Sequence, residues 1–168
     1  MTFRFAIEAL SDAHDRKTFS CGVEPLDRYF REQVTQDIRR RVTACHVAIE
    51  LSSARVAGYY TIASASIALD DIAPSLAKKL PRYPQVPAVR IGRLAVGLAF
   101  RGIKLGSTLL WNATARAIQS DIAAFAVVVD AKDDAAIAFY QHHGLTPFAR
   151  APNSLFVPLA EVEKRLRG

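Results

Sequence analysis

Two spacings of apolar residues alternate along the chain, one of two residues and one of three to four. Phe3, Phe5 and Ile7 alternate with polar or small residues and predict a first strand. Pro25 marks a helix start, after which Leu26, Tyr29, Phe30, Val34 and Ile38 fall at helical spacing. The runs HVAIEL (46–51) and VAGYYTIASASI (56–67) flank turn residues 52–55 and predict a hairpin. From Pro74 through Pro81, Pro84 and Pro87 the prolines predict a short helix and an extended link. Ala88 to Val96 is mostly apolar, as a central strand is.

The second half continues the alternation. Leu105, Leu109, Ala113 and Ala117 lie four apart on a helix expected to run to about Ser120. AAFAVVVDA (123–131) reads as a buried strand. Asp133 can cap a helix through about His143, and Gly144 can end it. Two short strands are expected around Pro147-Phe148 and Leu155-Phe156-Val157. There is no internal repeat or low-complexity linker, so 1–168 is read as a single mixed α/β (α+β) domain.

Composition narrows the class. The 168 residues are 51% hydrophobic, enough for a packed core. No apolar run reaches the roughly 18 residues of a membrane span. Arg4 and Glu8 interrupt the apolar N-terminal stretch, which excludes a secretory signal. Cys21 and Cys45 are far apart and lack metal-ligand spacing, so no metal site is expected and a reduced, cytoplasmic chain is. The net charge of +6 favours a polyanionic partner. Its basic residues cluster at Arg39, Arg40 and Arg41, at Lys78, Lys79 and Arg82, at Arg90, Arg93, Arg101 and Lys104, and at Lys164, Arg165 and Arg167.

The chemistry centres on RGIKLG (101–106), which joins the apolar strand to the helix. Amides at a helix start, with the helix dipole behind them, suit a pyrophosphate. Gly97 and Gly102 have the gap of a Walker loop, but Ile103 stands where its lysine belongs, and GxGxxG is absent. The candidates are Arg101, Gly102, Lys104, Leu105, Gly106 and Ser107. The other side chains offer little: adjacent strand residues Cys45 and His46 point to opposite faces, and His142 and His143 are expected on different sides of a helix.

These residues resemble the GCN5-related N-acetyltransferases, whose acetyl-CoA loop reads Q/R-x-x-G-x-G/A. Arg101 to Gly106 align with it, and Lys104 replaces its first glycine. GRLAV (92–96) resembles the preceding strand, and DDAAIAFYQHHGL (133–145) resembles the family's N-x-x-A-x-x-F-Y-x-x-x-G-F helix. FSCGVEPLDRYF (19–30) and YYTIASASI (59–67) resemble the acetyltransferase toxins of toxin–antitoxin pairs.

The resemblance implies a splayed mixed sheet of about six or seven strands flanked by helices, with acetyl-CoA in the splay. It also implies aminoacyl-tRNA as substrate, acetylated on its α-amino group, and a ribbon-helix-helix antitoxin as partner. A homodimer is left open. Leu94, Ala95 and Val96 would meet the pantetheine arm and polarise the thioester. Asp133 and Ala136 would face the cofactor, and Tyr140 would be the general acid. No general base declares itself. Arg39, Arg40, Arg41, Lys78, Lys79, Arg82, Arg90 and Arg93 are candidates for a tRNA track. Lys104 has two readings: at negative φ its ammonium neighbours the diphosphate, or it points to solvent while the backbone binds. A small amine or peptide acceptor, and a non-catalytic member that binds only nucleic acid or an antitoxin, are the alternatives.

Overall fold

A computed structural model of the chain describes residues 2–167. The strands are β1 (Phe5–Ala9), β2 (Ala44–Glu50), β3 (Val56–Ala68), β4 (Gln85–Val96), β5 (Ala126–Asp130), β6 (Thr146–Phe148) and β7 (Ala151–Pro158). They form one mixed sheet in the order β1-β2-β3-β4-β5-β7-β6. The helices are α1 (Glu24–Arg28), α2 (Val34–Arg39), α3 (Pro74–Ala77), α4 (Leu105–Gln119), α5 (Asp134–His142) and α6 (Leu159–Arg167). The chain divides into two compact units. One holds the residues up to Ala63 with Gly92–Ala113, and the other holds Ser64–Ile91 with the residues from Thr114 onward.

In the first unit, β1 and β2 pair antiparallel from Phe5↔Glu50 to Ala9↔His46, and β2 pairs with β3 across the expected hairpin. Glu50 fixes its turn: the carboxylate accepts from the amides and hydroxyls of Ser52 and Ser53. Those bonds hold the carboxyl at about 2, below its ordinary 4.5. Under the sheet lie Phe19, Tyr29, Phe30, Val34, Val47 and Tyr59. Phe30 stacks on Tyr59 with centroids 4.4 Å apart, and the Tyr59 hydroxyl donates to the Leu26 carbonyl over 2.8 Å.

Between α1 and α2, residues Tyr29–Gln33 form a π-helical turn, which the apolar spacing did not signal. At the far end of α2 the amides of Val42 and Arg41 bond the carbonyls of Asp37 and Ile38. This Schellman closure puts Arg41 at φ 59, where glycine is usual. Gly58 is needed for close approach, because a Cβ there would stand 2.8 Å from the Ala95 carbonyl.

In the second unit, β4 runs parallel to β5 from Ala88↔Ala126 to Ile91↔Val129. Gly92 to Val96 lie beyond this register. β5 pairs antiparallel with β7, and β7 with β6. Ile67, Ile72, Val86, Ala88, Val128 and Phe156 form the core. Helix α5 starts at the Asp133 cap, whose carboxylate accepts from the Ala136 amide over 2.9 Å, and Gly144 follows it at φ 90. Element boundaries differ from the sequence expectation: β5 spans Ala126–Asp130 within the expected 123–131. β4 starts at Gln85, before Pro87, and β7 is eight residues long. The basic tail is a helix, α6, that buries Leu159 and Val162 and pairs Arg165 and Arg167 with Glu161 and Glu163.

Candidate active site

The first unit carries the loop. Beyond β4, Gly97 and a short 3-10 turn (Leu98–Phe100) lead into Arg101, and α4 begins at Leu105. Leu94 and Val96 are half-buried and Ala95 is buried. Gly102 has φ 79 and Lys104 has φ 64, with Ile103 outside the left-handed region between them. A turn with left-handed residues on either side of one that is not can present successive amides to an anion as a nest. The Lys104 carbonyl accepts from the Thr108 amide, so the amides of the first turn of α4 have no carbonyl partner within the helix. A Cβ built at Gly102 meets nothing within 4 Å, which leaves room at the loop surface. These amides and that space fit a diphosphate.

Lys104 resolves against the negative-φ reading. Its backbone is left-handed, at a cost on the order of 1–2 kcal/mol, because the turn keeps the geometry that glycine would supply. The side chain is exposed.

Arg101 does not simply extend to solvent. Its guanidinium donates to the Cys21 carbonyl, tying the loop to the FSCGVEPLDRYF segment. That segment is locked by buried Asp27, which accepts from the Cys21 amide at 2.8 Å and the Ser20 hydroxyl at 3.2 Å. Sequence reasoning singled out this stretch without finding the roles of Asp27 and Cys21. Its legible signal was an acid three residues into a helix that follows a Cys-Gly turn.

The second unit carries Asp133, Ala136 and Tyr140 on α5. Asp133 is exposed, and its carboxyl is held below the ordinary value by the Ala136 amide, then by Lys132. Tyr140 is 6% exposed. Burial, and then the Asp130 carboxylate, push its phenol up to about 12. Among the described residues none hydrogen-bonds its hydroxyl. Asp130, which the sequence did not flag, accepts two bonds from Arg90 at 2.6 and 2.7 Å and one from Ser154 at 2.9 Å. His142 and His143 are less separated than expected, with rings 5.2 Å apart. Burial first, then His142, lowers the His143 imidazole.

The basic candidates divide by environment. Arg39, Arg40 and Arg41 are exposed in the first unit, and Lys78, Lys79 and Arg82 in the second. Arg90 is ion-paired with Asp130. Arg93 lies over the Tyr29 ring. Both thiols are buried, and burial pushes Cys21 to about 11 and Cys45 to about 12, which makes them poor nucleophiles. Among the described residues no group of His, Cys, Asp and Glu could hold a metal ion. Among the described residues no helix is long and apolar enough to cross a membrane.

The first unit thus offers an amide-bearing strand-to-helix turn suited to an anion, and the second a buried phenol on α5. The profile of the acetyltransferase (GNAT) family matches residues 8–145, and the chain belongs to that family. It is similar to a tRNA-acetylating toxin of Mycobacterium tuberculosis (strain ATCC 25618 / H37Rv), at 36% identity over 135 residues, 79% of each chain. Among solved structures it is similar to AtaT complexed with acetyl-methionyl-tRNAfMet, with a TM-score of 0.87, 25% identity, and 97% of this chain and 99% of that one covered. It is also similar to AtaTR bound with AcCoA, with a TM-score of 0.79, 26% identity, and 96% and 98% covered.

Proposed function

We propose that the chain is an acetyl-CoA-dependent N-acetyltransferase whose acceptor is the α-amino group of an amino acid esterified to tRNA, and that it acts as a toxin by blocking translation. The observation that carries the reading is the nest at Gly102 and Lys104 opening α4, the shape a diphosphate needs. The likeness to a tRNA-acetylating toxin supports the choice of acceptor, as does the +6 charge.

Bound at this loop, acetyl-CoA supplies an acetyl group on a thioester, activated towards an amine. In this reading the amides of Gly102, Lys104, Leu105 and Gly106 hold the diphosphate, with Arg101 and Ser107 flanking them. Within Leu94 to Val96, an amide on the strand edge away from β3 would donate to the acyl oxygen and so favour developing negative charge there. Asp133 and Ala136 position the start of α5 against the cofactor.

Tyr140 Oη keeps its proton at neutral pH. An ordinary thiol has a pKa near 8.5, so complete transfer from a phenol at about 12 would be uphill by about 5 kcal/mol. The hydroxyl therefore acts chiefly as a hydrogen-bond donor that strengthens as charge builds on sulfur. An α-amino group titrates near 8, so enough is neutral at physiological pH without a dedicated base. Exposed Arg39, Arg40, Arg41, Lys78, Lys79 and Arg82 contribute phosphate contacts. The reading also gives the chain a ribbon-helix-helix antitoxin and the cytoplasm as its place of action.

The test is turnover of labelled acetyl-CoA with a mixed pool of aminoacylated tRNA. Label on the aminoacyl ester is expected, and it should be lost with Tyr140→Phe. Acetyl-CoA binding with label only on free amines would refute the tRNA acceptor.

A further inference from the structure

A cleft of about 210 Å³ opens in the second unit, on the side of β4 and β7 that carries Arg90 and Ser154. Ile67, Val128 and Phe148, all buried in the core, form its apolar lining, with Asp71, Arg90 and Arg150 among its polar residues. Arg90 is held by both oxygens of Asp130, and Arg150 and Asp71 have opposite signs. The Asp130 carboxylate ties the cleft to the chemistry, since it binds Arg90 and Ser154 of the lining and also acts electrostatically on Tyr140.

We propose that this cleft receives the amino-acid side chain of the acceptor, and that the side chain it takes is uncharged and of aliphatic size. The inference rests on the aminoacyl-tRNA reading. Its volume is below the 300–1,000 Å³ typical of pockets for drug-sized ligands, and it suits a single side chain. A carboxylate or ammonium placed against Ile67, Val128 and Phe148 would lose its hydration. The half-buried cation of the lining, Arg90, is already paired with Asp130, and the other two charges, Asp71 and Arg150, are exposed. An aliphatic or thioether side chain meets no such obstacle. The rim of the cleft thus makes Arg90 and Asp130 positioning residues for the acceptor, rather than part of a phosphate track.

The experiment compares kcat/KM for tRNA charged with leucine, methionine, glycine, aspartate or lysine. The wild type is set beside Ala151→Trp and Ala68→Phe. Both alanines line the cleft, and Ala151 is exposed, so a larger side chain there fills space without disturbing the core. In the wild type, leucyl and methionyl acceptors should exceed aspartyl and lysyl ones by tenfold or more. In each folded variant the ranking should move towards glycyl, with the acetyl-CoA dissociation constant unchanged. Equal use of charged and aliphatic acceptors by the wild type overturns the assignment, whatever the variants do. An unchanged ranking in a folded variant overturns it as well. Transfer to no aminoacyl-tRNA at all, with acetyl-CoA still bound, overturns the parent reading and the cleft assignment together, and is distinguished by that general loss.

Discussion

The guanidinium carbon of Arg93 lies 3.4 Å from the centroid of the Tyr29 ring, and the Tyr29 hydroxyl donates to Asp37 over 2.7 Å. Arg93 makes no ion pair or side-chain hydrogen bond among the described residues, so one cation is held over an aromatic ring with its N–H groups unspent. Burial first, then Asp37, raises the Tyr29 phenol, and Arg93 opposes that rise. Stacked guanidinium of this kind can meet a phosphate or a nucleobase. Arg93→Ala is expected to raise KM for aminoacyl-tRNA about tenfold. It should flatten the slope of log affinity against log salt by about one phosphate contact, and leave acetyl-CoA binding unaltered. Titration at three salt concentrations reads the slope. Tyr29→Leu should additionally lower stability by about 2 kcal/mol, through the lost stack and the stranded Asp37.

Tyr140→Phe removes a hydroxyl that bonds to no described residue. Stability should therefore change little, while kcat falls by about 10²- to 10⁴-fold, the usual share of a positioned acid. Because the phenol is pushed up to about 12, the wild-type rate should rise as the acceptor amine deprotonates near pH 8 and show no alkaline fall up to pH 10. A pH–rate profile with a descending limb near pH 9 would assign the essential acid elsewhere.

Lys104 occupies a left-handed position at φ 64. Lys104→Gly relieves the backbone cost but gains chain entropy in the unfolded state, for a net gain of up to about 1 kcal/mol. Acetyl-CoA affinity should stay within a few-fold of the wild type, because the amides make the nest. Chemical denaturation and calorimetric titration check the two halves separately. A tenfold loss of affinity in both Lys104→Gly and Lys104→Ala would show that the ammonium itself is used.

Glu50 gives the fold its acid limit. Its carboxyl titrates at about 2 when folded, against 4.5 ordinarily, so its ionised form is favoured by folding. That contribution is present in full above pH 4.5 and is lost as pH falls from 4.5 towards 2. Glu50→Gln should lower Tm at neutral pH and reduce the steepness of acid unfolding across that window, as followed by circular dichroism.

Helix α4 was legible because Leu105, Leu109, Ala113 and Ala117 all face the core, as their spacing of four required. The β2–β3 hairpin and the Asp133 cap were legible for similarly local reasons. What stayed hidden depends on tertiary contact. The π-helical turn at Tyr29–Gln33 adds no residue type that spacing could betray. Helix α6 buries only Leu159 and Val162 among its charges and so read as a basic tail. Pro84 and Pro87 concealed the start of β4, since a proline at a strand's beginning needs no ladder amide. At the site, the loop was visible as a pattern, but the sign of φ at Lys104 was not. Asp130 had no signal at all, because its importance comes from Arg90, forty residues earlier on the neighbouring strand.

Cys21 and Cys45 are both buried, with thiols pushed to about 11 and 12. Burial disfavours the thiolate at both sites and keeps reagents from the sulfur. The folded chain is therefore nearly silent to maleimides and disulfide chromophores. Any coloured signal that grows in a reaction mixture comes from newly released small-molecule thiol, so turnover can be watched continuously without first replacing a cysteine. The same silence means that a single cysteine introduced on the surface would carry a dye there and nowhere else.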